Sequence, residues 1–117
     1  MPEHRNAKRR NFAYYMHLND DTTKQVLGTL LDVSAKGFRI DSRNPIPAGK
    51  DFRFRLDVTN EVADKSFISF VARSRWCKLD PNDPSLYDVG FEIMSISVHD
   101  NEIYQRVIER YSSKDSW

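Results

Sequence analysis

Cysteine is almost missing from this chain: Cys77 is the only one in 117 residues. One thiol closes no internal disulfide, and without a CxxC pair there is no zinc knuckle. His4, His17 and His99 are scattered without ligand spacing, so no structural metal or other cofactor is expected. Glycine is scarce too, with four residues, and none of them builds a Walker-type or GxGxxG phosphate loop. No apolar run approaches the roughly 20 residues of a membrane helix, so membrane insertion is not expected. The opening MPEHRNAKRR has no apolar segment behind its charges and does not read as a secretory signal; a cytoplasmic location is the expectation. No nucleophile stands at motif spacing from a base: Ser34 has no nearby histidine, and Asp20, Asp21, Asp80 and Asp83 read as turn acids. The chain is therefore expected to bind rather than catalyse.

What is present suits one soluble domain, with 39% hydrophobic and 30% charged residues. The net charge of +1 is unevenly spread. In residues 1–10, Arg5, Lys8, Arg9 and Arg10 against Glu3 give +3, which leaves −2 for the rest. A short basic arm on a near-neutral body points to a local anion site, not to a broad DNA or RNA face.

Residues 1–11 lack apolar periodicity and read as a flexible arm. β-prone runs follow at 12–18, 25–33, 38–40, 52–58, 66–77 and 87–93. The clearest is Phe52-Arg53-Phe54-Arg55-Leu56-Asp57-Val58, which alternates at every step and so turns its apolar residues to one face. At the end the period changes: Ile103, Tyr104, Val107, Ile108 and Tyr111 make one stripe of a helix over about 98–112. Ser97 is its N-cap candidate, with Asp100 placed as in a weak capping box. The pattern predicts a mainly β fold, an antiparallel sheet or small barrel with a C-terminal helix over one opening or edge.

Two spacings carry the chemistry. Arg5-Asn6-Ala7-Lys8-Arg9 is an RxxxR, and Asp32-Val33-Ser34-Ala35-Lys36-Gly37 is a DxSxxG at a strand-turn-strand junction. Alone, the first reads as a solvated arm. The second alone reads as a turn in which Asp and Ser bond the backbone and Gly supplies a positive φ. Together, with Arg9 and Asp32 set 23 positions apart, they resemble the PilZ domain family. Pro47-Ala48-Gly49-Lys50 and Val89-Gly90-Phe91-Glu92 extend the resemblance along nearly the whole chain. It implies a six-stranded antiparallel PilZ-type β-barrel with a C-terminal α-helix over residues 12–117, and cyclic di-GMP as the ligand. It also implies roles: Arg5 and Arg9 as guanidinium forks on guanine or phosphate, with Lys8 and Arg10 adding field and phosphate contacts. Asp32 would accept from the guanine N1 and N2 donors, Ser34 would bond base or phosphate, and Gly37 would let the backbone approach the ligand. Phe38 departs from the pattern by standing where the family often has a second glycine, and His4 precedes the RxxxR.

The resulting expectation is a single-domain cyclic di-GMP receptor, monomer or weak dimer, whose arm clamps on binding and so regulates a partner protein. The alternative is a PilZ-like adaptor that binds protein and not the nucleotide. A third, a small-barrel binder of single-stranded nucleic acid, needs a basic face that the body's charge denies. Several residues read two ways. Trp76 either walls the ligand site, where a base or an arginine stacks, or packs at the sheet edge. Arg73 and Arg75 either form a solvated face or a basic rim for phosphates.

Overall fold

The computed structural model describes residues 10–11 and 16–111. The elements run β1 (Arg10–Asn11), β2 (His17–Asp20), β3 (Val26–Ser34), β4 (Gly37–Ser42), β5 (Asp51–Asp57), β6 (Phe67–Leu79), β7 (Tyr87–Ser95) and α1 (Val98–Tyr111). Strands β2 to β7 form a closed antiparallel barrel: neighbours follow the order β3, β2, β5, β6, β7, β4, and β4 pairs back onto β3. The expected six-stranded barrel with a terminal helix is thus the architecture. β1 sits on the edge of β3 that β2 occupies further along, with Arg10 opposite Val33 and Asn11 opposite Asp32. The apolar run 12–15 and the arm residues Arg5, Lys8 and Arg9 lie outside the described residues.

Alternation along the strands sorts the side chains. Leu18, Val33, Phe38, Ile40, Phe54, Leu56, Ile68, Phe70, Val89 and Phe91 are buried together inside. Phe38 is central: its ring stacks on Phe91 at 5.4 Å and meets Phe54 and Phe70 edge-on at 5.4 and 5.8 Å. The residue that replaces a second motif glycine is therefore a core anchor. The helix adds Ile103, Tyr104, Val107 and Ile108 to the same cluster, as its stripe suggested.

Ser97 caps α1, its Oγ accepting the Asp100 N–H at 3.1 Å. The reciprocal half of a capping box is replaced: the Asp100 carboxylate accepts from Lys65 Nζ at 2.8 Å and from the Ser69 N–H at 3.2 Å, tying the helix start to the barrel wall. Burial opposes ionisation of Asp100, but those two donors outweigh it and hold its pKa below the usual value.

One irregularity decides what the outer wall looks like. Ile68, Phe70, Ala72 and Ser74 of β6 point inward in strict alternation, which would carry Trp76 inward as well. A β-bulge between Ser74 and Trp76 inserts one extra residue and reverses the sense. Trp76 therefore emerges on the outside, 36% exposed. The same bulge separates the fates of Arg73 and Arg75.

Candidate functional site

The DxSxxG segment is the β3–β4 hairpin. Ser34 pairs with Gly37 across it, leaving Ala35 and Lys36 exposed at the tip. Ser34 is buried, and its Oγ donates to the Gly37 carbonyl at 3.4 Å. The Tyr104 hydroxyl reaches from the helix to the Ser34 carbonyl at 2.8 Å and the Gly37 carbonyl at 3.0 Å. One donor thus braces both ends of the turn. The positive φ expected at Gly37 is not there; among the described glycines only Gly49 has one. Gly37 is required for a different reason: a Cβ on it would lie 2.2 Å from the Phe91 carbonyl oxygen on β7.

Asp32 lies on the outer wall and is almost buried there. Its Oδ2 accepts from Arg39 Nε at 3.1 Å. The same guanidinium turns Nη1 toward Asp88 Oδ2 at 3.0 Å, so Arg39 on β4 bridges an acid of β3 and an acid of β7. Asp88 is only 1% exposed. Burial pushes its pKa up, and the neighbouring Asp80 carboxyl adds to the effect, while Arg39 opposes it. Asp80 moves the other way, chiefly because the Asn82 N–H donates to its carboxylate.

Beside this bridge the indole of Trp76 rests on Gly90, which faces Arg39 across the β4–β7 ladder. A Cβ at Gly90 would come within 2.3 Å of the ring, so glycine is the residue that admits it. Lys78 Nζ stands 5.4 Å from the ring centroid. Ser34, Lys36, Gly37, Arg75, Trp76, Gly90, Phe91 and Glu92 line an open cavity of about 230 Å³ between the hairpin and the indole. Arg75 is pinned at its rim by Glu92, with Nε 2.7 Å from Oε1 and Nη2 on the same oxygen. Arg73 turns away to a two-pronged contact with Asp51, at 2.7 and 3.2 Å.

Of the expected site residues, Ser34, Gly37 and Trp76 line this cavity; Asp32 is not among its lining residues but pairs with Arg39, which faces Gly90 in the next strand, and the backbone of Arg10 is in register beside Val33. For Trp76 the edge-packing reading gives way to an exposed ring on the outer face. Sequence reasoning missed Arg39, Asp88 and Gly90. Gly90 left a readable signal, since a glycine inside the alternating run Val89–Ile93 marks a close approach. A second cavity, of about 520 Å³, opens near His17, Gly28, Arg43 and Leu86 and contains none of the expected site residues. No group of three or more His, Cys, Asp or Glu able to hold a metal occurs among the described residues. No helix among them is long and apolar enough to cross a membrane.

Barrel, bracing helix and polar outer wall place the chain among small closed β-barrels that carry a C-terminal helix. The family model described as PilZ domain matches residues 3–112, and the chain belongs to that family. Two solved structures share the fold. The inhibitor of motility MotI/DgrA of Bacillus subtilis aligns with a TM-score of 0.69 at 16% identity, over 93% of this chain and 51% of that one. This chain therefore spans about half of that protein. The PilZ domain of YcgR from Escherichia coli, with c-di-GMP, aligns with a TM-score of 0.65 at 15% identity, over 93% of this chain and 92% of that one. Among curated proteins no sequence match reaches significance.

Proposed function

We propose that this PilZ domain is a cyclic di-GMP receptor that acts by binding, in the cytoplasm, on a partner protein. The observation that carries the reading is the pairing of Arg10 and Asn11 with Val33 and Asp32. Arg9 is bonded to Arg10, and adjacent Cα atoms are about 3.8 Å apart, so the RxxxR ends within reach of the DxSxxG hairpin. The ligand's needs match what the wall offers: guanidinium forks for guanine or phosphate, a carboxylate for guanine N–H donors, an aromatic face, and basic groups at Lys36 and Arg75. Family membership and the nucleotide present with the YcgR domain support the same ligand.

Arg5, Lys8 and Arg9 would close over the nucleotide once it is seated. Ordering an arm costs about 1–2 kcal/mol per residue, which charge-assisted bonds to the ligand can offset. The change in the arm is the signal a partner would read. The adaptor reading has one observation in its favour: Asp32 and Arg75 already have internal ionic partners, so the wall is electrostatically satisfied on its own.

Calorimetric titration with cyclic di-GMP separates the two. The receptor reading requires saturable heat from the parent and at least about a tenfold weaker response from Arg9→Ala, as expected for losing a charged, bidentate contact. A folded parent that gives no heat at any accessible concentration would leave the adaptor.

A further inference from the structure

We infer that Arg39 is a positioning residue for the nucleotide site, a shared clip whose division between Asp32 and Asp88 couples that site to the start of β7. This rests on the reading of Asp32 as the ligand's acceptor, but the clip itself is built from contacts within the chain. The guanidinium spends two different nitrogens on two carboxylates, Nε on Asp32 and Nη1 on Asp88. The fork fixes the distance between those acids, and a single lysine nitrogen could not span both. Anything that engages Asp32 changes what Arg39 gives to Asp88.

At Asp88 the change is felt directly: its Oδ2 holds Arg39 while its Oδ1 is buried with no hydrogen-bond partner, and Asp80, the first residue of the β6–β7 loop, is among the charges around it. Asp80 in turn organises that loop: its Oδ1 accepts the N–H groups of Asn82 and Asp83 at 2.7 and 3.0 Å, and its own N–H donates to the Leu86 carbonyl at 3.0 Å. The charged groups facing Asp88 are Arg39 and Asp41 from β4, Lys78 from β6, and Asp80 from the loop. Loss of the Asp32 charge turns Arg39 wholly to Asp88, which favours the Asp88 carboxylate. Cyclic di-GMP seated on Asp32 acts in the same direction.

The test follows the Asp88 carboxyl carbon by NMR through a pH titration. It compares the parent, Asp32→Asn, Arg39→Gln and the double variant, without ligand and, for the parent, with saturating cyclic di-GMP. The clip requires the Asp88 midpoint to fall by about half a pH unit or more in Asp32→Asn, an effect the size of one changed charge contact. It also requires that fall to vanish in the Arg39→Gln background, because direct repulsion between the two acids would persist there. An unmoved midpoint in Asp32→Asn, or an equal fall in both backgrounds, overturns the clip. Should Arg39→Gln fail to fold, hydrogen exchange of the Arg39 guanidinium decides. Nε–H must exchange faster in Asp32→Asn while Nη1 stays protected, and unchanged protection overturns the clip. A parent that binds cyclic di-GMP with no movement of Asp88 overturns the coupling to the ligand. A parent that shows the Asp32→Asn shift yet binds no nucleotide upholds the clip and removes the receptor reading instead.

Discussion

Phe38 and Phe91 face each other on the inside of the β4–β7 pair; one residue along, Arg39 and Gly90 face each other on the outside. Inside, rings fill the barrel. Outside, the same ladder carries an arginine held between two acids and a bare Cα on which an indole lies. Strand alternation thus assigns core packing and the proposed recognition face to adjacent positions of the same two strands. The bulge after Ser74 extends the division to β6, where it sends Trp76 to the outer side.

If the two faces are separate in function, substitutions one residue apart should register in different assays. Phe38→Ala should have the largest effect, about 3–5 kcal/mol off the unfolding free energy in urea, as for other buried aromatics truncated in a packed core. A loss under about 1 kcal/mol would mean that the ring cluster does not hold the barrel together. Tyr104→Phe comes next, at about 1–3 kcal/mol, because the Ser34 and Gly37 carbonyls lose a buried donor. Tyr104 belongs to the inner face and meets the site at the hairpin backbone. Its loss should therefore raise amide exchange in residues 34–37 as well as lower stability.

Trp76→Ala is the converse case. The unfolding free energy should move by less than about 1 kcal/mol, since the ring is partly exposed, while affinity for cyclic di-GMP falls about tenfold, a typical loss for one stacked base. Equal losses in both measurements would erase the distinction between faces. Ser97→Ala should cost about 1 kcal/mol, read as a lower Cm at unchanged m, and should leave nucleotide affinity alone.

The smallest effect, in pH, also has opposite signs at two buried acids. Asp88 is raised, so the folded protein holds its proton over an interval where the unfolded chain has lost it. Its contribution to stability therefore falls as pH climbs from the ordinary value of 3.8 through the raised one. Asp100 is lowered, so its contribution is complete above 3.8 and disappears as pH drops through the lower folded value. Asp88→Asn should flatten the first slope and Asp100→Asn the second, both measurable as the pH dependence of the thermal midpoint.

Much of this was legible in the residues. The alternation of 52–58 and 87–93, the stripe from Ile103 to Tyr111 and the cap at Ser97 led to the barrel and its helix, because local periodicity reports which side of an element meets the core. The hairpin at Ser34–Gly37 could be located too, but the reason for its glycine could not. The Phe91 carbonyl that forbids a Cβ there lies 54 residues away in sequence. The orientation of Trp76 was hidden for a similar reason. A bulge shifts the parity of a strand without changing its composition, so counting by two from Phe70 carries the ring to the wrong face. Arg39 left no signal in the sequence, and only the closure of β4 onto both β3 and β7 reveals that it meets two acids.

The most direct test of the outer wall as the nucleotide site is an amide chemical-shift map of the labelled protein titrated with cyclic di-GMP. The expected result is a set of saturable shifts concentrated at residues 32–37, Trp76 and Gly90, with the second cavity around Gly28 and Arg43 unmoved. Shifts centred on that second cavity, or none anywhere at saturating nucleotide, would contradict it.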